Sequence, residues 1–112
     1  MANVPELDLA RIHRYCAERV PADLLNRVRV EATTRGRTVT IVECRPPWRE
    51  DIGGDWTRQP IAQLRYDDAS KLWTLYWPDR NARWHVFDLI DPGSVSELLE
   101  EIELDRTSIF WG

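Results

Sequence analysis

Along residues 5–19, Leu9, Ile12 and Cys16 recur at helical spacing among charged positions, with Pro5 suited to a first turn and Glu6 and Asp8 suited to the positive end of a helix dipole. The spacing predicts an amphipathic helix. Val20-Pro21 ends it, because a residue before proline is driven out of the α region, and 21–25 reads as one further short turn. From Arg27 the period becomes two, Val28, Val30 and Ala32 alternating with Arg29, Glu31 and Thr33. Arg35-Gly36 reads as a tight turn and 37–45 as the returning strand. Setting Ala32 opposite Val39 and Val30 opposite Ile41 brings Val28 opposite Glu43, so Glu43 is expected on the core face with an arginine as its partner.

Residues 61–66 form a third predicted strand, and 67–70 a four-residue turn into the hairpin over 71–87. In that hairpin Pro78 presets φ for a type I turn and Asn81 can take the left-handed conformation that closes it. The expected register sets Leu64 opposite Trp73 and Ala62 opposite Leu75, then Leu75 opposite Trp84 and Trp73 opposite Val86. Tyr66, Trp73, Trp77 and Trp84 then share the core face. Pro92-Gly93 leaves the sheet, Ser94 with Glu97 spells a capping box, and Val95, Leu98, Leu99 and Ile102 give a second amphipathic helix. Its Glu97, Glu100, Glu101 and Glu103 are expected in solvent, and the apolar end Ile109-Phe110-Trp111 is expected to tuck against the sheet. The fold class is α+β: a five-stranded antiparallel sheet of β-hairpins, in two hairpin-based units, with an N-terminal and a C-terminal helix.

Residues 46–60 make the one long irregular connection. It carries Trp48 and Trp56 beside Arg49, Arg58, Glu50, Asp51 and Asp55, with Gly53-Gly54 as a hinge. Such a loop reads either as a contact loop or as a segment whose tryptophans pin it to the core edge.

At 112 residues, 43% hydrophobic, the chain suits a single domain, 1–112, able to bury a core without staples. Two cysteines are too few for a disulfide framework and lack metal-ligand spacing, so reduced thiols in the cytoplasm are expected. The start Met-Ala-Asn-Val-Pro-Glu has no basic region followed by an apolar one, and no apolar run approaches the roughly 18 residues of a membrane span. A net charge of −4 argues against a simple polyanion binder, but the charge is uneven. Residues 11–49 hold nine arginines against four acids, and residues 84–112 hold seven acids against Arg106. Fourteen arginines to one lysine point first to codon usage and only then to bidentate anion recognition.

Glu43-Cys44-Arg45-Pro46-Pro47-Trp48, Ala62-Gln63-Leu64-Arg65-Tyr66, Asp79-Arg80-Asn81-Ala82-Arg83-Trp84-His85 and Ile109-Phe110-Trp111-Gly112 together resemble a bacterial family, domain of unknown function 3024. The resemblance covers roughly residues 20–112. The family commonly has an arginine where this chain has Cys44, and more polar residues after His85. It implies a bacterial protein of single-domain size and names no catalytic residue.

If one sheet face is core, the other displays Arg27, Arg29, Thr38, Thr40, Gln63, Arg65, Thr74, Tyr76, Arg83 and His85, with Gln63, Thr74 and His85 in one cross-strand row and Tyr76 paired with Arg83. The leading expectation is a non-enzymatic binding module for a protein partner, its contacts drawn from Arg65, Thr74, Tyr76, Arg83 and His85 with Trp48, Arg49 and Trp56 of the loop. One alternative is a small hydrolase or isomerase using His85 as general base, which requires a deep pocket around that residue. Another is a weak nucleic-acid or anion binder, for which a lone tyrosine falls short of a paired aromatic platform. No cofactor is expected. His13 and Cys16 share a helix face without a second ligand pair, and no phosphate-cradling loop, dinucleotide fingerprint or serine elbow occurs.

Overall fold

The computed structural model of the chain describes residues 3–47 and 54–112. Helix α1 (Glu6–Arg19) leads through a short 3-10 turn at Ala22–Leu24 into five strands, β1 (Arg29–Arg35), β2 (Thr38–Arg45), β3 (Thr57–Asp67), β4 (Leu72–Pro78) and β5 (Trp84–Val86), and helix α2 (Val95–Leu104) follows. The strands pair antiparallel in chain order, one continuous meander. Both helices lie on the same side of it. Ile12 and Cys16 of α1 and Val95, Leu98, Leu99 and Ile102 of α2 join Val39, Ile41, Leu64, Trp73 and Leu75 in one core. Among the described residues no helix is long and apolar enough to cross a membrane.

Ser94 caps α2 as its sequence dictates, its hydroxyl accepting from Glu97 N at 3.2 Å while the Glu97 carboxylate accepts from Ser94 N. The preceding Gly93 lies so close that a Cβ there would sit 2.9 Å from a Glu97 oxygen, and it exchanges both backbone hydrogen bonds with Trp73. The indole of Trp73, 1% exposed, donates to Asp8 at 2.9 Å, which ties the first turn of α1 to the sheet. Beyond α2, Asp105 adopts φ +46 and its carboxylate accepts the backbone N–H groups of Phe110, Trp111 and Gly112. The apolar end is thereby folded back: Phe110 is buried against Phe87 and Trp111 lies under the Arg19 guanidinium. Glu101 departs from the solvated face expected for it. It is 7% exposed and accepts from Arg106 Nε at 2.7 Å.

All three hairpin registers differ from expectation, in two distinct ways. Between β1 and β2 the turn lies on Gly36-Arg37, with the positive φ (+61) at the first turn residue, where glycine is favoured. Ala32 therefore pairs with Ile41, and Glu43 faces Val30 rather than Val28. Glu43 is half-buried at the core rim, and its arginine partner is Arg45, Nε to carboxylate 3.0 Å. The β3–β4 turn is likewise one residue late, with Asp67 opposite Leu72 and Leu64 opposite Leu75. Each is a slip of two, which preserves the faces.

The β4–β5 hairpin slips by three. Its loop holds five residues, 79–83, with Pro78 opposite Trp84 and Tyr76 opposite Val86, and the left-handed position is Ala82 (φ +60), not Asn81. An odd slip exchanges the faces. Trp84 and Val86 leave the expected core face, and His85 takes their side, stacked on Trp77 at 4.7 Å. A second phase change falls at the bulge opposite Ile41 and Val42, where Ile61 is the extra residue beside Pro60. Proline has no N–H to give a ladder, so a bulge is where a strand accommodates it.

Candidate binding face

Among the described residues no helix covers the side of the sheet away from the core. Antiparallel pairing sets there a continuous row, Thr33, Thr40, Gln63, Tyr76 and Val86, flanked by a second row, Arg35, Thr38, Arg65 and Thr74. The expected row of Gln63, Thr74 and His85, and the pairing of Tyr76 with Arg83, are replaced by these.

The rows are stitched by side chains. Gln63 Nε2 donates to Thr40 Oγ1 at 3.0 Å, and Gln63 Oε1 accepts from Arg65 Nε at 2.7 Å. The Arg65 guanidinium lies over the Tyr76 ring, 3.8 Å from its centroid. Gln63, only 8% exposed, is thus satisfied on both ends of its amide, and Arg65 is fixed through Nε and its flat face. The fork of its terminal nitrogens is what that leaves for an anion. In front lies a concavity of about 420 Å³ lined by Thr33, Arg35, Thr38, Thr40, Gln63 and Arg65.

Further along the same face Arg58 reaches Glu31 at 3.2 Å and the Cys44 sulfur at 3.7 Å, while Arg29 stacks on Trp56 at 4.4 Å. Cys44 is 3% exposed, and burial, then the Glu31 carboxylate, push its thiol pKa up. It stays protonated and is no nucleophile at neutral pH. Within the strands this face carries Arg29, Arg35, Arg58 and Arg65 against Glu31 and Asp67, on a chain of net charge −4. This makes it a cationic face on an acidic protein.

Over residues 1–112 the sequence matches the family described as "Domain of unknown function (DUF3024)". The chain belongs to DUF3024. No curated protein and no solved structure matched it. Belonging to DUF3024 assigns no activity, so chemistry rests on where this member of DUF3024 places its residues.

Of the residues singled out from sequence, Arg65, Thr74 and Tyr76 come together on the open face. Trp56 lies apart from them, toward the other end of the face, with its ring under the Arg29 guanidinium, and Arg83 lies exposed in the loop before β5. Trp48 and Arg49 lie outside the described residues. His85 is the correction: its Nε2 is 2.8 Å from Asp79 Oδ2 on the helix side, the outcome of the odd slip. Asp79 uses its other oxygen to accept from Asn81 N and Arg83 N, and its carboxyl is held at about 2, chiefly by the His85 hydrogen bond. That arrangement closes a loop. Thr33, Arg35, Trp84 and Val86 belong to the face and were missed. Arg35 and Thr33 share the phase of Arg29, but a turn placed at 35–36 hid Arg35. Among the described residues no group of three His, Cys, Asp or Glu is arranged to hold a metal.

Proposed function

We propose that this chain is a non-enzymatic binding module working through its open sheet face, which receives an extended, anionic segment of a partner. The observation that carries this is Arg65, held by Gln63 and Tyr76 beside Arg35 at the mouth of a 420 Å³ concavity. An arginine immobilised before binding loses little side-chain entropy when it meets a carboxylate or phosphate. An acidic segment of a protein partner, the class the sequence favours, meets the charge requirement. The cytoplasm suits the module, since Cys16 and Cys44 are both buried as free thiols. The alternative of His85 as general base has less support: its ring is 46% exposed at an edge strand, and both oxygens of its Asp79 partner already serve to close the loop.

The test is an amide-shift titration with two 12-residue anionic probes, an Asp/Glu-rich peptide and an oligonucleotide. At least one should saturate, shifting Thr38, Thr40, Gln63 and Arg65, and Arg35→Glu with Arg65→Glu should cut its affinity at least tenfold without a matching loss of thermal stability. Shifts confined to the helix side, or none with either probe, would overturn the module.

A further inference from the structure

The odd slip of β5 gives the open face a second half that its charge does not explain. Beside Tyr76 it sets Trp84, half-buried, and Val86, half exposed, and Leu72 is 39% exposed at the far end of β4. Trp84 lies diagonal to Tyr76 across the β4–β5 pair, a separation of about 7–8 Å between backbone positions, which large rings span. The lone tyrosine expected from the sequence is a pair of aromatics.

An acidic peptide needs only the arginine half and leaves an indole and a valine with nothing to meet. A chain that alternates negative charge with flat apolar surface uses both halves. We infer that the anionic segment is single-stranded nucleic acid, bases on Tyr76 and Trp84 and phosphates on Arg35 and Arg65. This deepens the binding-module reading and rests on it.

Three features carry the assignment. Aromatic side chains stack any base through its π-face, and guanidinium planes already stacked on rings, as Arg65 is on Tyr76 and Arg29 on Trp56, extend the same surface. Thr33 and Thr40 stand in the row that leads through Gln63 to Tyr76, and their hydroxyls supply neutral hydrogen-bonding groups for base edges or sugars. Across five strands, at about 4.8 Å per spacing, the face spans about 19 Å, enough for a short run of extended nucleotides but too flat for a duplex, whose bases are hidden. With an overall charge of −4 the attraction is local, so binding should be weak and salt-sensitive.

The experiment measures fluorescence anisotropy of the full chain with labelled dT12, rU12, a 12-bp duplex, and a dodecapeptide alternating Asp or Glu with Leu. A single-stranded probe should bind at least tenfold tighter than the duplex and the peptide. Its affinity should fall with salt at a log–log slope of about −1.4, for two phosphate contacts at about −0.7 each. Trp84→Ala should weaken it at least fivefold, Trp84→Phe should recover most of that loss, and the peptide should respond to neither. If the peptide binds as well or better, or Trp84→Ala leaves the oligonucleotide unaffected in a folded protein, the nucleic-acid assignment falls and the cationic face stands. If nothing binds, both fall.

Discussion

Leu64, Trp73 and Leu75 are each at most 1% exposed, whereas Thr74 and Tyr76, one position away on β4, are only half-buried. The strands are the same and the backbone hydrogen bonds are shared, so what separates the two faces is the coverage of one by both helices. On the helix side the free energy comes from apolar transfer and close packing. On the open side polar side chains satisfy one another, as in Thr40, Gln63 and Arg65, and arginines lie on rings. The lesson is that substitutions on the helix side should be read in stability and those on the open side in binding.

The sharpest break of that comparison pairs two neighbours on opposite faces. Trp73→Ala should cost about 3–5 kcal/mol, since it opens a cavity and strips Asp8 of its indole donor. Tyr76→Ala should cost no more than about 1.5 kcal/mol. Urea denaturation of both variants measures the difference. An equal cost would mean that the open face is a second core, which would remove the basis for a binding surface there.

Ion pairs make the same comparison on a smaller scale. Arg106→Ala leaves the 7%-exposed Glu101 carboxylate without its guanidinium and should cost about 1–3 kcal/mol. Arg58→Ala leaves Glu31, 43% exposed on the open face, free to hydrate, and should cost no more than about 0.5 kcal/mol. Double-mutant cycles on both pairs separate the coupling from the loss of side-chain packing.

How much of this was legible in the sequence divides along a single physical line. Helical spacing in Leu9, Ile12 and Cys16, and the Ser94-Glu97 box before Val95, are local signals, and both helices stand where they predict. Strand identity was also local, but register depends on which residue of a turn takes positive φ. Gly36 took the first turn position where the second was expected, and Ala82 took the role expected of Asn81. Even slips left Leu64, Trp73 and Leu75 inside. The one odd slip moved Trp84 outward and His85 away from the arginines, so the candidate site was half legible: Arg65 and Tyr76 followed from period two, whereas Arg35, hidden in a misplaced turn, and Trp84 did not. Nor did period two betray the bulge at Pro60-Ile61, although a proline within a strand is a hint of one. Glu101 was hidden for another reason, since its burial depends on Arg106 reaching back over the end of α2.

The loop that caused the odd slip offers the smallest test. Asp79 holds it closed by accepting from Asn81 N at 2.8 Å, Arg83 N at 3.0 Å and the His85 ring at 2.8 Å, and its carboxyl is held at about 2, below the ordinary 3.8. A depressed folded-state pKa means that the charged form stabilises the fold above the ordinary value, and that this contribution is lost as pH falls from about 4 through about 2. Amide resonances of Asn81 and Arg83 should hold their positions down to about pH 3 and then move together, with a midpoint at about 2, as the carboxylate protonates. Asp79→Asn keeps one acceptor oxygen but removes the charge, so it should abolish that titration while leaving the β1–β2 hairpin unchanged. Because β5 is only three residues long, a loosened loop also frees Trp84 from its place beside Tyr76. The same variant should therefore weaken any ligand held by the aromatic half of the face more than one held by Arg35 and Arg65 alone.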